Sequence, residues 1–171
     1  MNTLIISSSL SPESRSFILC TNVVSTLKKK GVKVTFVDAR DLELLPHHRG
    51  PTKDMKSLAR KVKAADNIII GMGVHLYSVN DSLKIILDSC FDDAEGKFFG
   101  VLCAAGGEKS YLASMHLSQM CMKEWRMMQL PRVLFASGKD FDGDHICSND
   151  VFKRVEQFCE EFKTVGEKLL K

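Results

Sequence analysis

Asn2-Thr3-Leu4-Ile5-Ile6-Ser7-Ser8, then Ser9-Leu10-Ser11-Pro12-Glu13-Ser14-Arg15-Ser16, then Phe17, Ile18, Val23, Val24 and Leu27 is the stretch that decides the fold. Its first part is a short apolar run of strand character, and from Ser14 onward the apolar positions take the spacing of one helix face. Lys28-Lys29-Lys30-Gly31 closes that helix with basic residues and a glycine, most simply a solvated carboxyl end. Val32 to Val37 resumes strand character between Gly31 and Asp38. The chain therefore opens as strand, loop, helix, strand.

The scheme repeats outward from there. Asp38 to Thr52 holds Pro46, His47, His48, Arg49, Gly50 and Pro51 and reads as a surface loop. A basic helix is expected from about Lys53 to Ala64, and a doubly covered strand from Asp66 to Met72 around Ile68-Ile69-Ile70. A helix follows from about Ser78 to Phe91, then a strand over Lys97 to Ala105. A Met-rich helix over Glu108 to Met127, a strand over Pro131 to Ala136 and an amphipathic helix over Asn149 to Leu170 complete the pattern. Five strands alternating with helices, joined by short connections, require right-handed crossovers. The expected fold is α/β, a flavodoxin-like three-layer sandwich with a five-stranded parallel sheet of order 2-1-3-4-5 and helices on both faces.

Composition narrows the function classes. With 171 residues, 44% of them hydrophobic, residues 1–171 are expected to form a single domain. Twenty-four basic against 21 acidic side chains leave a formal charge of +3, which does not suggest a nucleic-acid partner. No secretory leader is read at Met1 to Ile6, and no apolar run reaches the roughly 18 residues of a membrane span. The six cysteines form no C-x-x-C pair, so no zinc or iron–sulfur signature is read, and reduced thiols in a cytoplasm are the expectation.

In a sheet of this kind, ligands sit beyond the carboxyl ends of the strands. Three loops matter there. The first, Ser7 to Ser16, offers six serines, Arg15 and the free N–H groups of a helix start, which together suit a phosphate dianion. One serine would suffice as a helix cap. The loop has no glycine, so neither the G-x-G-x-x-G turn nor the G-K-[ST] loop applies. The second, Gly71-Met72-Gly73-Val74-His75-Leu76-Tyr77-Ser78, and the third, Ala104-Ala105-Gly106-Gly107-Glu108-Lys109, place glycines where backbone can approach a flat ligand. His75 and Tyr77 could equally be packing residues at a strand end. Together the loops describe a site for a planar molecule bearing a phosphate.

At this point the chain resembles a family. Ser9-Leu10-Ser11-Pro12-Glu13-Ser14-Arg15-Ser16 is similar to the phosphate loop of the NAD(P)H-dependent FMN reductases, in its serine-rich S-x-x-x-x-S-R-S form. Asp41-Leu42-Glu43-Leu44-Leu45-Pro46 resembles their D-L-x-x-L-P segment. Ser78-Val79-Asn80-Asp81-Ser82-Leu83-Lys84 and the residues on to Asp88 resemble their S-x-P-x-x-L-K-N helix, and Ala105-Gly106-Gly107 falls where their third flavin loop falls. There are departures. The family's P-x-Y is here Gly73-Val74-His75, its proline before L-K-N is Asn80, the asparagine of L-K-N is Ile85, and phosphate-loop positions often held by Arg and Asn are Ser11 and Ser16.

The resemblance implies an enzyme with FMN as cofactor and NADPH or NADH as electron donor. It implies that Ser9, Ser11, Ser14, Arg15 and Ser16 hold the FMN phosphate. The ring would lie between Val74, His75, Leu76, Tyr77 on one side and Ala105, Gly106, Gly107, Lys109 on the other. Backbone amides near Leu76 and Gly107 would tune the ring, with Lys109 or His75 stabilising charge on it. No catalytic dyad is implied, because the flavin carries the chemistry. Electrons would pass to a small-molecule acceptor such as a quinone, azo compound, metal oxyanion or free flavin. Homodimers or homotetramers are common in the family, and Trp125, Met127 and Met128 are candidate contact residues.

Two other classes stay open. A flavodoxin-type electron carrier would bind FMN without nicotinamide turnover, although flavodoxins usually have T-x-T-G-x-T loops and acidic surfaces. A flavin-free interaction module is the other. A phosphoryl receiver domain wants an aspartate where this chain has Gly71-Met72-Gly73. His47-His48 reads as solvated loop, Asp140 to His145 as a turn rather than a calcium loop, and the methionines from Met115 to Met128 as flexible filler.

Overall fold

A computed structural model describes residues 1–171. Strand β1 (Asn2–Ser7) lies between β2 (Lys33–Asp38) and β3 (Asn67–His75), parallel to both, with Ile5 level with Phe36 and Ile69. Its near-continuous apolar run follows from burial on both faces. Beyond β3 comes β4 (Ser78–Val79), a short antiparallel partner, and then β5 (Phe98–Ala104), which runs parallel to β3 from Asn67↔Phe98 to Gly73↔Ala104. The outer edge of β5 carries β6 (Met128–Gln129) and β7 (Leu134–Ala136). A separate hairpin, β8 (Phe141–Asp142) and β9 (His145–Ile146), turns at Gly143, whose φ is 57°.

Five helices cover the sheet: α1 (Arg15–Lys29), α2 (Lys53–Ala64), α3 (Asp81–Cys90), α4 (Ser114–Glu124) and α5 (Asn149–Leu169). The two faces separate by the period-two alternation of the strands. Ile5, Ile69 and Leu102 join Leu19, Val23 and Leu27 of α1 and Val155, Phe158 and Phe162 of α5 in one apolar cluster. Leu4, Ile6, Ile68, Ile70, Phe99 and Val101 join α2, α3 and α4 through Leu58, Ile86 and Leu117 in the other. The flavodoxin-like three-layer fold is thus present.

The sheet has seven strands rather than five, in the order β2-β1-β3-β5-β6 with β4 and β7 off that path. The expected fifth strand, Pro131 to Ala136, is shortened to β7, and a separate two-residue β6 precedes Pro131, which has no N–H to give the ladder. The third strand runs three residues past Met72 into the hairpin with β4, so the helix expected at Ser78 starts at Asp81. The helix expected over Glu108 to Met127 is a 3₁₀ segment, Glu108–Ala113, and then α4. It stops at Trp125 because Arg126 adopts a left-handed conformation, φ 49°, the usual way a helix closes. Trp125 packs on the buried ring of Phe91 with centroids 5.5 Å apart, and Met127 is buried. These two belong to this chain's own core rather than to an exposed contact patch.

No helix is long and apolar enough to cross a membrane. Five cysteines are buried and only Cys147 is exposed. Burial raises the thiol of Cys90 to about 11 and those of Cys103, Cys121 and Cys159 to about 12, and it raises Cys20 further still. A thiol whose pKa is raised stays protonated and inert at mildly basic pH. An aromatic disulfide reagent at about pH 8 is therefore expected to titrate one thiol in the native chain and six after denaturation. More than one fast thiol would mean that the sheet faces are not closed as described.

Candidate functional site

Parallel strands end together, so the loops after β1, β3 and β5 converge. Ser7 is level with Gly71, and Gly73 with Ala104. The N–H of Ser8 donates to the carbonyl of Gly71 at 3.0 Å, which joins the first two loops where they leave the sheet. Between them and the third loop lies an open cleft of about 260 Å³. Ser9, Ser11, Ser14, Arg15 and Ser16 line it from the first loop, Val74 and His75 from the second, and Ala105 and Gly106 from the third. Glu13, Gly73 and Ala104, which belong to the same loops but to which the resemblance assigns no contact with the cofactor, line it too.

The serines divide their work. Ser14 caps α1, its hydroxyl accepting from Phe17 N–H at 3.1 Å, and it lies 3.0 Å from the Ser16 hydroxyl. Ser9 Oγ accepts from Ser11 N–H at 3.3 Å. Ser8 Oγ donates to Gly71 carbonyl at 2.7 Å, and Ser7 Oγ is buried without a partner. The N–H groups of Arg15 and Ser16 open the helix and have no acceptor within it, as the first residues of any helix must. The first turn of α1 holds no carboxylate, whereas α2, α3 and α5 place Asp54, Asp81 and Asp150 there. The partial positive charge of this helix end is thus left for another anion.

Arg15 is exposed, and unlike Arg40 and Arg132, which pair with Asp38 and Glu161, it has no carboxylate partner. Its guanidinium lies beside Gly138: a Cβ there would meet Arg15 Nη1 at 3.2 Å and Gly106 carbonyl at 2.8 Å. Gly138 N–H also donates to that carbonyl at 3.3 Å, so a fourth segment, after β7, backs the third loop. Gly138, two residues past the end of β7, is a part of the site that the three-loop pattern in the sequence does not contain. Arg40 was likewise missed as a brace. Its guanidinium holds Asp38 at 2.6 Å, donates to Pro12 carbonyl at 3.3 Å and lies 4.0 Å over the Phe17 ring, tying the first loop to the end of β2.

Four expected residues stand outside the lining: Leu76, Tyr77, Gly107 and Lys109. Leu76 and Tyr77 are the central pair of the tight β3–β4 turn, both with positive φ, 47° and 59°. Leu76 is 98% exposed. Left-handed conformations at non-glycine residues cost about 1–3 kcal/mol each. Gly107 and Lys109 lead outward into the 3₁₀ segment. A larger hollow, about 820 Å³, lies between α3 and α4 beyond this hairpin and is lined by Lys84, Asp88, His116 and Trp125 among others. Chemistry rather than size distinguishes the smaller cleft, where an unpaired guanidinium, hydroxyls and a free helix end converge.

The cleft fits a phosphate-bearing planar cofactor. A Cβ built on Gly73 or Gly106 would meet nothing within 4 Å, so both leave bare backbone facing open space. At the other end the donor set is that of a phosphate cradle.

The model of the NADPH-dependent FMN reductase family matches residues 1–142, which include all three loops. An iron–sulfur flavoprotein of Methanocaldococcus jannaschii is 28% identical over 98 residues, 52% of this chain and 51% of that protein, so the match spans about half the relative's length. Among solved structures, the apo form of an NADH:FMN oxidoreductase superposes with a TM-score of 0.83 at 18% identity, covering 96% of this chain and 89% of that one. An NAD(P)H:acceptor oxidoreductase of Paracoccus denitrificans gives 0.78 at 16%, covering 98% and 97%. A flavodoxin from the Archaea gives 0.66 at 16%, covering 95% and 99%. At these identities the structures speak for the fold.

Proposed function

Since the chain belongs to the NADPH-dependent FMN reductase family, we propose that it is an FMN-dependent oxidoreductase that passes hydride from NADPH or NADH to bound FMN and on to a quinone, azo compound, metal oxyanion or free flavin. We propose further that residues 1–171 act as one FMN-binding domain, assembled as a homodimer or homotetramer in the cytoplasm. The observation that carries the reading is the convergence of the unpaired Arg15 and the free end of α1 with the bare backbone of Gly73 and Gly106 around one cleft. Exposed Leu76, Tyr77, Tyr111, Leu112 and Met115 are the apolar residues available to such a contact.

Bound FMN supplies the two-electron chemistry, accepting hydride and releasing electrons to the acceptor. The chain's part is to bind and orient. Arg15, the first-turn N–H groups of α1 and the hydroxyls of Ser9, Ser11, Ser14 and Ser16 hold the phosphate end through charge-assisted hydrogen bonds. Val74, His75, Ala105 and Gly106 flank the ring end. The cleft is open toward solvent, and a nicotinamide would approach the ring from that side. His75 lines the cleft, is exposed and makes no ion pair, so it is available to a charged ring edge.

Incubation with excess FMN, desalting, and anaerobic addition of NADPH or NADH tests this. Retained flavin that bleaches with a nicotinamide is the expected result, and the faster donor identifies the preferred one. Retained flavin that bleaches only with dithionite would make the protein an electron carrier. Absence of retained flavin would overturn the reading.

A further inference from the structure

Asn80 occupies the position before α3, where an asparagine ordinarily accepts from the N–H groups of the helix it precedes. It makes no such cap. Its carboxamide is fully buried and turns toward the sheet instead. Oδ1 accepts from Gly73 N–H at 3.2 Å and lies 3.0 Å from Ser8 Oγ. Nδ2 donates to the Ser8 carbonyl at 3.0 Å and to Ser82 Oγ at 2.8 Å. Ser82 Oγ in turn donates to the same Ser8 carbonyl at 2.5 Å. One side chain is thus bonded to the backbone of the first loop, one residue before Ser9, and to the backbone of the second loop at Gly73, and both Ser9 and Gly73 line the cleft.

We propose that Asn80 is a positioning residue that fixes the separation between the phosphate end and the ring end of the cleft. The inference rests on the FMN reading above. A ligand gripped at two places gains from the second grip only when the two are held at the matching distance. An alkyl residue at 80 would leave Gly73 N–H without its acceptor and remove the amide link between Ser8 and Gly73, so that only the bonds of Ser8 to the Gly71 carbonyl at the sheet edge would still join the two loops. Arg15 and the start of α1, which Asn80 does not touch, would keep their geometry. A ligand that uses both ends should therefore lose far more than a ligand that uses one.

The experiment compares wild type and Asn80→Ala with three probes. FMN spans both ends, riboflavin lacks the phosphate, and inorganic phosphate lacks the ring. Flavin binding is read by fluorescence quenching, and phosphate binding by the rise in melting temperature. The expected result is an FMN Kd raised roughly 10- to 100-fold. Riboflavin Kd and the phosphate-induced shift should change less than about twofold. Ser82→Ala removes one donor to Ser8 carbonyl and keeps Asn80, and it should raise the FMN Kd roughly three- to tenfold in the same selective way. That variant decides the matter if Asn80→Ala does not melt cooperatively. An unchanged FMN Kd, or equal losses for all three probes, would overturn this inference alone. A wild-type chain that binds no FMN would overturn the flavin reading and this inference together.

Discussion

Phe158→Ala is expected to destabilise the protein by about 3–5 kcal/mol, the range for deleting a fully buried aromatic ring. Phe158 is wholly buried, stacked on Phe162 with centroids 5.9 Å apart, and Phe162 is stacked on Phe98 of β5 at 5.0 Å. The sheet is shaped to receive it, for a Cβ at Gly100 in the middle of β5 would sit 2.6 Å from Phe158 Cζ. Removing the ring leaves a void over a strand with no side chain to fill it, so little relaxation can offset the loss. Against a typical total of about 5–15 kcal/mol this is a large share. Urea unfolding followed by circular dichroism would measure it, and a loss below about 1 kcal/mol would mean that α5 does not close this face. The helix lies beyond residues 1–142, so the test also asks whether the segment outside the family match is part of the same cooperative unit.

Arg15→Ala is expected to weaken FMN binding by about 1.5–3 kcal/mol, roughly 10- to 150-fold, as for loss of hydrogen bonds to a charged group. Arg15 has no carboxylate to release and is exposed, so its removal costs the fold little and the loss appears in binding. Arg15→Lys should recover part of the affinity, because a lysine supplies the charge without the planar fork. Riboflavin affinity should be unchanged, and added salt should narrow the gap between wild type and variant. Equal FMN affinity in the two proteins would place the phosphate elsewhere.

Sequence by itself determined the sandwich and its strand order. Continuous apolar runs such as Ile68-Ile69-Ile70 and the three-four spacing of Phe17 to Leu27 report local structure, and short connections leave one handedness for the crossovers. The order of the three loops at one sheet edge follows from that topology. So does the clustering of Ser9 to Ser16 with Val74, His75, Ala105 and Gly106.

What tertiary structure alone decided is where individual side chains go once the loops meet. The resemblance places Leu76 and Tyr77 in the ring loop, and the continuation of β3 into a hairpin with β4 makes them the exposed centre of a tight turn. Asn80 looked like a substituted proline before a helix, and only the meeting of Ser8 with Gly73 gave its amide two backbones to hold. Gly100 and Gly138 are bare for the same reason: a ring from α5 and a carbonyl from the third loop arrive there from distant parts of the chain. Periodicity is a property of one run of sequence, whereas these contacts join separate segments, from seven positions apart for Gly73 and Asn80 to 72 for Ser8 and Asn80, and their chemistry exists only after the chain has folded.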